Sequence, residues 1–318
     1  MSTATAHNIA TSEEAHEIAS DGAFVRQQNR FTTPFGDNPG ELPVESGRYR
    51  LLWAAICPWA HRAVIVRKLL GLEDVISLGT VHPVRTDRGW AFSKDKNEVD
   101  PVLGIHYLPE IYAKTDANYR GRATVPTVVD IKKGIVVNND YFRLTNYFET
   151  AFKKFHKADA PDLYPQALRA DIDALNDVIF HDVNNGVYKA GFAHSQAAYE
   201  KAWDTLFNRL DILEQRLATQ RYLFGDQITD SDIRLYVTLA RFDVAYYSVF
   251  RANRNRLIDF THLWGYARDL YQTPGFGDTT DFEAIKQGYQ LGDFNTNPYQ
   301  IVAKGPDVSL WQLPHNRG

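Results

Sequence analysis

The sequence is poor in sulfur and in concentrated charge. Among 318 residues there is one cysteine and one methionine, and the net charge is −4. A single cysteine excludes an internal disulfide framework and is typical of a reducing compartment, so we expect a cytoplasmic location. The chain has no block of lysine and arginine of the kind that binds nucleic acid, and we expect no such partner. No apolar run approaches the ~18 residues that span a bilayer, so we expect no membrane insertion.

The remaining composition is that of a globular protein with two domains. Hydrophobic residues make up 44% and charged residues 23%, and the length is enough for two cores. Residues 1–48 predict an N-terminal arm that is partly disordered, and its polar, acidic start does not resemble a secretory signal. Residues 49–150 predict an α/β domain. Residues 166–318 predict an all-α domain with an irregular C-terminal tail, because their apolar residues recur at helical spacing.

The order of elements in the first domain is β-α-β-loop-β-β-α, which is that of the thioredoxin fold. A strand to Ile56 leads into a helix that ends at Gly71, and a second strand follows. Thr124 begins a strand led by a Val-Pro pair, and Lys132–Gly134 form the turn to its partner. A further helix is predicted to begin at Asn138 or Asn139.

Cys57 is the leading candidate for chemistry. It lies between an apolar strand and the first turn of a helix that begins with Pro58, where backbone N–H groups favour an anion. Such a setting lowers a thiol pKa from about 8.5 toward neutrality, and the thiolate is the reactive form. The alternative is a small buried hydrophobic residue. Ala60 stands where dithiol oxidoreductases have a second cysteine, so a mixed disulfide on Cys57 needs a thiol from solution.

Two other polar residues have structural explanations. Thr229-Asp230-Ser231-Asp232 matches a capping box, which makes Asp232 a helix cap rather than a catalytic acid. His61 follows Cys57 by one helical turn and is interpreted as a packing residue rather than a proton donor. The ten histidines show no spacing typical of metal ligands, so no metal is expected.

The detailed sequence resembles the Xi class of glutathione transferases, the omega-like glutathionyl-hydroquinone reductases, from about Gly22 to Pro306. The words that carry the resemblance are Cys57-Pro58-Trp59-Ala60-His61-Arg62, Gly89-Trp90, Gly121-Arg122, Thr124-Val125-Pro126, Asn184-Asn185-Gly186-Val187-Tyr188-Lys189-Ala190-Gly191-Phe192, Asp232-Ile233-Arg234-Leu235, Arg241-Phe242-Asp243 and Asp269-Leu270-Tyr271-Gln272-Thr273-Pro274-Gly275.

The resemblance implies a thiol-dependent reductase with glutathione as cosubstrate. The Cys57 thiolate attacks the glutathione sulfur of a glutathionyl-hydroquinone and releases the hydroquinone, and a second glutathione resolves the mixed disulfide. The resemblance also implies a homodimer. It implies the following glutathione contacts: Trp90 over the bound tripeptide, Arg122 near its carboxylates, and the backbone of Val125 before a cis Pro126 at its cysteinyl part.

On the hydroquinone side the resemblance implies three tyrosines, Tyr188, Tyr246 and Tyr289. Phenol groups stack on an aromatic ring and hydrogen-bond its oxygens, and one can donate a proton to the departing carbon. With 17 tyrosines in the chain, each is otherwise a structural residue. The word around Tyr289 departs from relatives, since Gly288 and Gln290 replace a histidine and an aromatic residue.

A second departure concerns the glutathione side. Relatives carry Asn-Glu-Ser, where the acid holds the glutathione amino group and the serine and helix amides hold the γ-glutamyl carboxylate. This chain has Asn139-Asp140-Tyr141. Asp140 keeps the charge on a shorter side chain, but the Tyr141 phenol cannot occupy the place of a serine hydroxyl. Either the helix amides suffice, which we expect, or a related γ-glutamyl thiol is preferred.

Two alternatives to the reductase remain from sequence. One is a broader omega-like deglutathionylase that acts on mixed disulfides, phenacyl thioethers or dehydroascorbate and needs only Cys57. The other is a non-catalytic ligand-binding module, which has no need of a thiolate.

Overall fold

The structure is a computed structural model that describes residues 17–292 and 297–317, so residues 1–16 of the predicted arm lie outside the described residues. The chain divides into two compact units. The first contains Glu17 and Arg26–Ala160, and the second contains Ile18–Val25 and the chain from Pro161 onward. The predicted arm is therefore not one piece, because residues 18–25 belong to the second unit.

A four-stranded mixed sheet forms the first unit, in the order β2-β1-β3-β4. Strand β1 is parallel to β2 and antiparallel to β3, and β3 is antiparallel to β4. This is the predicted thioredoxin-like arrangement. The elements are β1 (Tyr49–Trp53), α1 (Pro58–Leu69), β2 (Ile76–Thr80), α2 (Leu108–Thr115), β3 (Thr127–Asp130), β4 (Ile135–Asn138) and α3 (Leu144–Thr150).

Strand β1 and helix α1 are held in the core on both sides of the Cys57 turn. All five residues of β1 are buried, and so are the ten residues from Pro58 to Arg67. The positive charge of Arg50, which is buried within β1, is paired with the carboxylate of Asp100. Asp100 Oδ2 accepts from Arg50 Nε at 2.9 Å and from Nη2 at 2.7 Å. The helix ends before Gly71, which has a φ of +70° as a helix-terminating glycine requires. The turn at Cys57 is thus fixed by the buried strand β1 before it and the buried helix α1 after it.

The prediction that a helix begins at Asn138 or Asn139 is wrong. Strand β4 runs through Asn138, and α3 begins only at Leu144. Side chains in between satisfy local backbone groups: Asn138 Oδ1 accepts from the Asp140 N–H at 3.0 Å, and Asp140 Oδ1 accepts from the Phe142 and Arg143 N–H groups at 3.1 Å each. Such Asx turns compete with helix formation, and they delay the helix by one turn and a half.

The second unit is helical, as predicted. Wide π-helical turns follow two of its helices, at Phe180–Asn184 after α4 (Arg169–Ile179) and at Phe242–Tyr246 after α7 (Asp230–Arg241), the latter continuing as a short helix to Val249. Its main helices are α4 (Arg169–Ile179), α5 (Gly186–Gly191), α6 (Gln196–Leu217), α7 (Asp230–Arg241), α8 (Thr261–Gln272) and α9 (Phe282–Leu291).

The predicted capping box at the start of α7 is confirmed. Asp232 Oδ2 accepts from the Thr229 N–H at 2.8 Å and from its hydroxyl at 2.9 Å. The other oxygen accepts from the Leu223 N–H at 2.9 Å and from the Tyr266 hydroxyl at 2.8 Å. Burial raises the pKa of Asp232, while these bonds act in the opposite direction. Asp232 is therefore a structural anchor for α7.

The C-terminal residues pack on α8. A short 3₁₀ helix, Val308–Gln312, places the Trp311 ring 5.0 Å from that of Trp264. Further on, Arg317 Nη2 donates to the carbonyls of Leu217 and Arg221 at 2.9 Å each, beyond the end of α6. Across residues 17–292 and 297–317, no helix has the length and hydrophobicity to cross a membrane.

Candidate active site

Cys57 is the N-cap residue of α1 in the first unit. Its backbone is extended, with φ −75° and ψ 115°, and its carbonyl accepts the first helical bond from the His61 N–H at 3.0 Å. The side chain is partly exposed. The thiol is thus accessible and lies at the positive end of the helix dipole, where a thiolate is stabilised.

The Val125–Pro126 peptide bond is cis, as the resemblance implied. The Cys57 thiol lies against it, with Sγ donating to the Val125 carbonyl oxygen at 3.3 Å. The preceding loop is held by Tyr112, whose hydroxyl donates to the Thr124 carbonyl at 2.9 Å and lies 2.6 Å from the Thr127 hydroxyl. Two predicted site elements far apart in sequence therefore meet at the sulfur.

Tyr141 packs against helix α1, one turn beyond the thiol. Its ring centroid lies 5.3 Å from that of Trp59, and Arg62 donates a hydrogen bond to its carbonyl. Burial raises the pKa of the Tyr141 phenol, partly opposed by the charges of Arg26 and Arg62 and reinforced by Asp140 and Glu17. Tyr141 is therefore a neutral phenol at pH 7 beside a cationic patch.

Asp140 is tied to the backbone rather than projecting freely. Besides the two amides of the Asx turn, its Oδ1 accepts from Asn29 Nδ2 at 3.4 Å. The shorter side chain, compared with the glutamate of relatives, thus holds the turn that precedes α3. Its role toward a glutathione amino group stays a prediction.

Arg122 lies three residues before Val125 and forms an ion pair with Glu17. Arg122 Nη2 is 2.7 Å from Glu17 Oε1. Its backbone N–H donates to Gln27 Oε1 at 3.1 Å. Neither Glu17 nor Gln27 was identified from the sequence, since nothing in an acidic, polar arm distinguishes these residues from their neighbours.

Trp90 and His61 are the remaining residues of the first unit that the sequence analysis singled out. Trp90 lies in the long connection between β2 and α2, is partly exposed, and accepts through its carbonyl from the Leu108 N–H at 2.8 Å. His61 is buried, with its ring 6.1 Å from that of Trp53, which agrees with a packing role. The role of Trp90 over bound glutathione stays a prediction.

The second unit brings the three predicted tyrosines together. Tyr188 lies on α5, Tyr246 ends the π-helical turn after α7, and Tyr289 lies on α9. The Tyr289 hydroxyl is 2.5 Å from that of Tyr188 and 3.0 Å from that of Tyr246. Tyr289 is therefore the centre of a phenol cluster, although its sequence context was the least typical.

Burial determines the ionisation of this cluster. It raises the pKa of Tyr246 and of Tyr289 well above the ordinary value, and the Tyr188 phenol adds to both shifts. Tyr246 and Tyr289 are therefore protonated at pH 7 and can act as hydrogen-bond donors.

Phe250 completes the aromatic surroundings and was missed in the sequence. Its ring stacks on Tyr246 at 5.3 Å with an interplanar angle of 16°, and lies 5.2 Å from Tyr188 and 5.5 Å from Tyr289. The signal available was its place four residues after Tyr246, which puts it on the same helical face. In the described ranges no cluster of acidic, histidine or cysteine side chains could hold a metal ion.

Comparison with known proteins agrees with this architecture. Residues 56–151 match the family model for the N-terminal domain of glutathione S-transferase, and residues 196–269 match that for the C-terminal domain. Glutathionyl-hydroquinone reductase YqjG of Escherichia coli is 40% identical over 93% of this chain and 92% of its own length. The Xi glutathione transferase structure from Phanerochaete chrysosporium is 41% identical, covers 92% of this chain and 95% of that one, and superposes with a TM-score of 0.87.

The chain belongs to the Xi class of glutathione transferases. A glutathione transferase structure from Gordonia bronchialis is similar to this Xi-class chain at 53% identity, with 86% of each chain covered and a TM-score of 0.85. The structure of YqjG with glutathione bound has a TM-score of 0.82 and covers 94% of each chain at 39% identity. The prediction of an enzyme with this two-part fold is therefore confirmed.

Proposed function

We propose that this Xi-class enzyme is a glutathione-dependent reductase that releases hydroquinones from glutathionyl-hydroquinones through Cys57. The observation that carries the proposal is the Cys57 thiol, partly exposed at the start of α1 and 3.3 Å from the Val125 carbonyl before a cis proline. A thiol at a helix N-terminus is suited to nucleophilic attack on sulfur. The relatedness to a glutathionyl-hydroquinone reductase over 93% of this chain supports this substrate class.

The proposed reaction has two exchange steps. The Cys57 thiolate attacks the glutathione sulfur, a sulfur–sulfur bond forms, and the bond from sulfur to the ring carbon breaks. The electron pair of the broken bond goes to the ring carbon, which takes a proton and becomes the hydroquinone. A second glutathione thiolate then attacks the mixed disulfide, so that oxidised glutathione leaves and the Cys57 thiolate returns.

The ring carbon needs a proton donor, and we assign that role to the tyrosine cluster. A protonated phenol donates its proton as the carbon–sulfur bond breaks and recovers one from solvent afterwards. Tyr188 is the most exposed of the three, at 8%, whereas Tyr246 and Tyr289 are at 0% and 2%. Tyr188 is therefore the proposed donor, and Tyr289 its hydrogen-bond partner.

For glutathione itself, we propose Trp90, Arg122, the Val125–Pro126 backbone, Asp140 and Tyr141 as contacts. Arg122 recognises a carboxylate, and Val125 offers its backbone to the cysteinyl part. We further propose that backbone amides before α3 hold the γ-glutamyl carboxylate without a serine hydroxyl, because Tyr141 packs toward Trp59.

Intact mass after incubation with a glutathionyl-hydroquinone tests the nucleophile. The wild-type chain should gain one glutathione, and Cys57→Ser should gain none. A wild-type protein that gains nothing while hydroquinone is released would contradict the mixed-disulfide route.

A second comparison separates the reductase from a general deglutathionylase. Tyr188→Phe should slow hydroquinone release at least ~100-fold, since a general acid contributes about that much. The same variant should cleave a small glutathione mixed disulfide at the wild-type rate, because that reaction protonates no carbon. Tyr299→Phe, at a position 85% exposed, is the matched control. If Tyr188→Phe keeps the wild-type rate with both substrates, the broader activity is favoured.

A further inference from the structure

The N-terminal arm places a carboxylate on the arginine that is proposed to bind glutathione. Glu17 Oε1 lies 2.7 Å from Arg122 Nη2 and also accepts from the Gln27 N–H at 3.0 Å. The pair is well shielded, with the Glu17 side chain 10% and the Arg122 side chain 24% exposed. An ion pair between such side chains is stronger than one in open solvent.

Gln27 fixes the same part of the arm from the other side. Its Oε1 accepts from the Arg122 N–H at 3.1 Å, and its Nε2 donates to the Tyr119 hydroxyl at 3.4 Å. The Tyr119 hydroxyl in turn donates to the Arg122 carbonyl at 2.8 Å. Backbone and side chain of Arg122 are thus both engaged by the arm, which makes the Glu17 contact a defined one.

Other arm residues contact the same proposed site. The Arg26 guanidinium carbon is 4.7 Å from the Trp59 ring centre, and the Asn29 amide donates to Asp140 at 3.4 Å. Gln27 and Asn29 therefore contact residues proposed for glutathione, and Arg26 contacts the Trp59 ring against which Tyr141 packs. Among these arm residues Glu17 carries the carboxylate, and glutathione carries carboxylates as well.

We propose that Glu17 is an internal competitor for the carboxylate position at Arg122, so that glutathione binds by taking over a guanidinium that the protein's own arm occupies. The inference rests on the proposed function in its assignment of Arg122 to a glutathione carboxylate. Two carboxylates at one guanidinium repel each other, so the side chain that leaves is Glu17. Glu17 thereby sets the affinity for the thiol.

The size of the effect on glutathione affinity follows from the free energy of the Glu17–Arg122 ion pair, which must break before glutathione binds Arg122. A partly buried pair of this kind is worth about 1 kcal/mol, which corresponds to about a fivefold change in a dissociation constant. The apparent affinity for glutathione is the intrinsic affinity multiplied by the fraction of molecules in which Glu17 does not hold Arg122. Removing the charge of Glu17 should therefore tighten binding by about fivefold.

The test measures glutathione binding by calorimetry in the Cys57→Ser background, where no mixed disulfide forms. Glu17→Gln keeps the size of the side chain and its acceptor for the Gln27 N–H, and should lower the Kd for glutathione about fivefold. Glu45→Gln is the matched control, since Glu45 pairs with Arg48 at 2.8 Å and Lys132 at 2.6 Å in the same unit. Its Kd should equal that of the parent.

A double-mutant cycle identifies Arg122 as the point of competition. In an Arg122→Gln background, Glu17→Gln should leave the Kd unchanged, because the shared guanidinium is gone. An unchanged or higher Kd for Glu17→Gln with Arg122 present would overturn the proposal and make Glu17 a positioning residue for Arg122. If the wild type forms no adduct yet Glu17→Gln tightens glutathione binding, the proposed function fails while the competition stands.

Discussion

Replacing Tyr289 by phenylalanine is the sharpest test of the phenol cluster. The change removes one oxygen from a side chain that is 2% exposed and leaves the ring in place. That oxygen lies 2.5 Å and 3.0 Å from the hydroxyls of Tyr188 and Tyr246. Tyr289→Phe therefore removes two hydroxyl contacts of the cluster at once.

The expected losses follow from this count. A hydrogen bond contributes about 1 kcal/mol net, and a buried hydroxyl deprived of its partner adds to the cost. Tyr289→Phe should lower the free energy of unfolding by about 2 kcal/mol, since both contacts are lost. For a unit of this size, 2 kcal/mol corresponds to a fall in Tm of about 4–8 °C.

Differential scanning calorimetry at one scan rate measures the loss, with Tyr299→Phe as an exposed control that should stay within about 0.5 kcal/mol of wild type. In the Tyr188→Phe background, the further loss from Tyr289→Phe should shrink, because one of its two bonds is already absent. If Tyr289→Phe costs no more than Tyr299→Phe, the hydroxyl of Tyr289 does not hold the cluster together and the reasoning is refuted.

Other predictions concern titration, the thiol site, the cap and assembly. Because burial raises the pKa of Tyr246 and Tyr289, the folded state keeps protons that the unfolded state loses above about pH 10. Stability should therefore decline as pH rises past that value, and less so in Tyr289→Phe; an identical decline in both, by chemical denaturation at each pH, would contradict this. Tyr141→Ser should change the Kd for glutathione only modestly, about threefold, since one neutral hydrogen bond is at issue; a very large gain would instead point to a different thiol. Asp232→Ala removes the acceptor of four hydrogen bonds and should cost about 3 kcal/mol or more, whereas the exposed Asp159→Ala should change little in the same melt. A homodimer is expected, and sedimentation velocity showing only monomer would reject it.

Local patterns in the sequence predicted much of the fold and the position of the Cys57 thiol at the start of a helix. Three features are each determined by residues close in sequence: the strand before Cys57, the proline after it and the capping box at Thr229. A short stretch of sequence is therefore enough to identify them. The helix after β4 was misplaced for a related reason. Asn138 and Asp140 are good caps, but here they cap turns, and the periodicity of the following residues does not distinguish the two.

Contacts between residues far apart in the sequence could not be predicted from local patterns. Glu17 and Arg122 are 105 positions apart, and Tyr188 and Tyr289 are 101 apart. Resemblance named Arg122 and the three tyrosines individually, but it did not say that Tyr289 joins the other two or that the arm holds Arg122. Only the packing of helices α5, α7 and α9 and the path of the arm decide these pairings.

The wide turn at Phe242–Tyr246 has a consequence for how this enzyme tolerates insertions and deletions. A π turn accommodates one residue more than a regular α-helical turn, and each residue of an α-helix advances it by about 100°. Deleting a single residue there would restore regular winding without breaking the helix. The backbone that positions Tyr246 would change with it, so a shortened chain would keep its fold and lose the present contacts of that phenol in one genetic step.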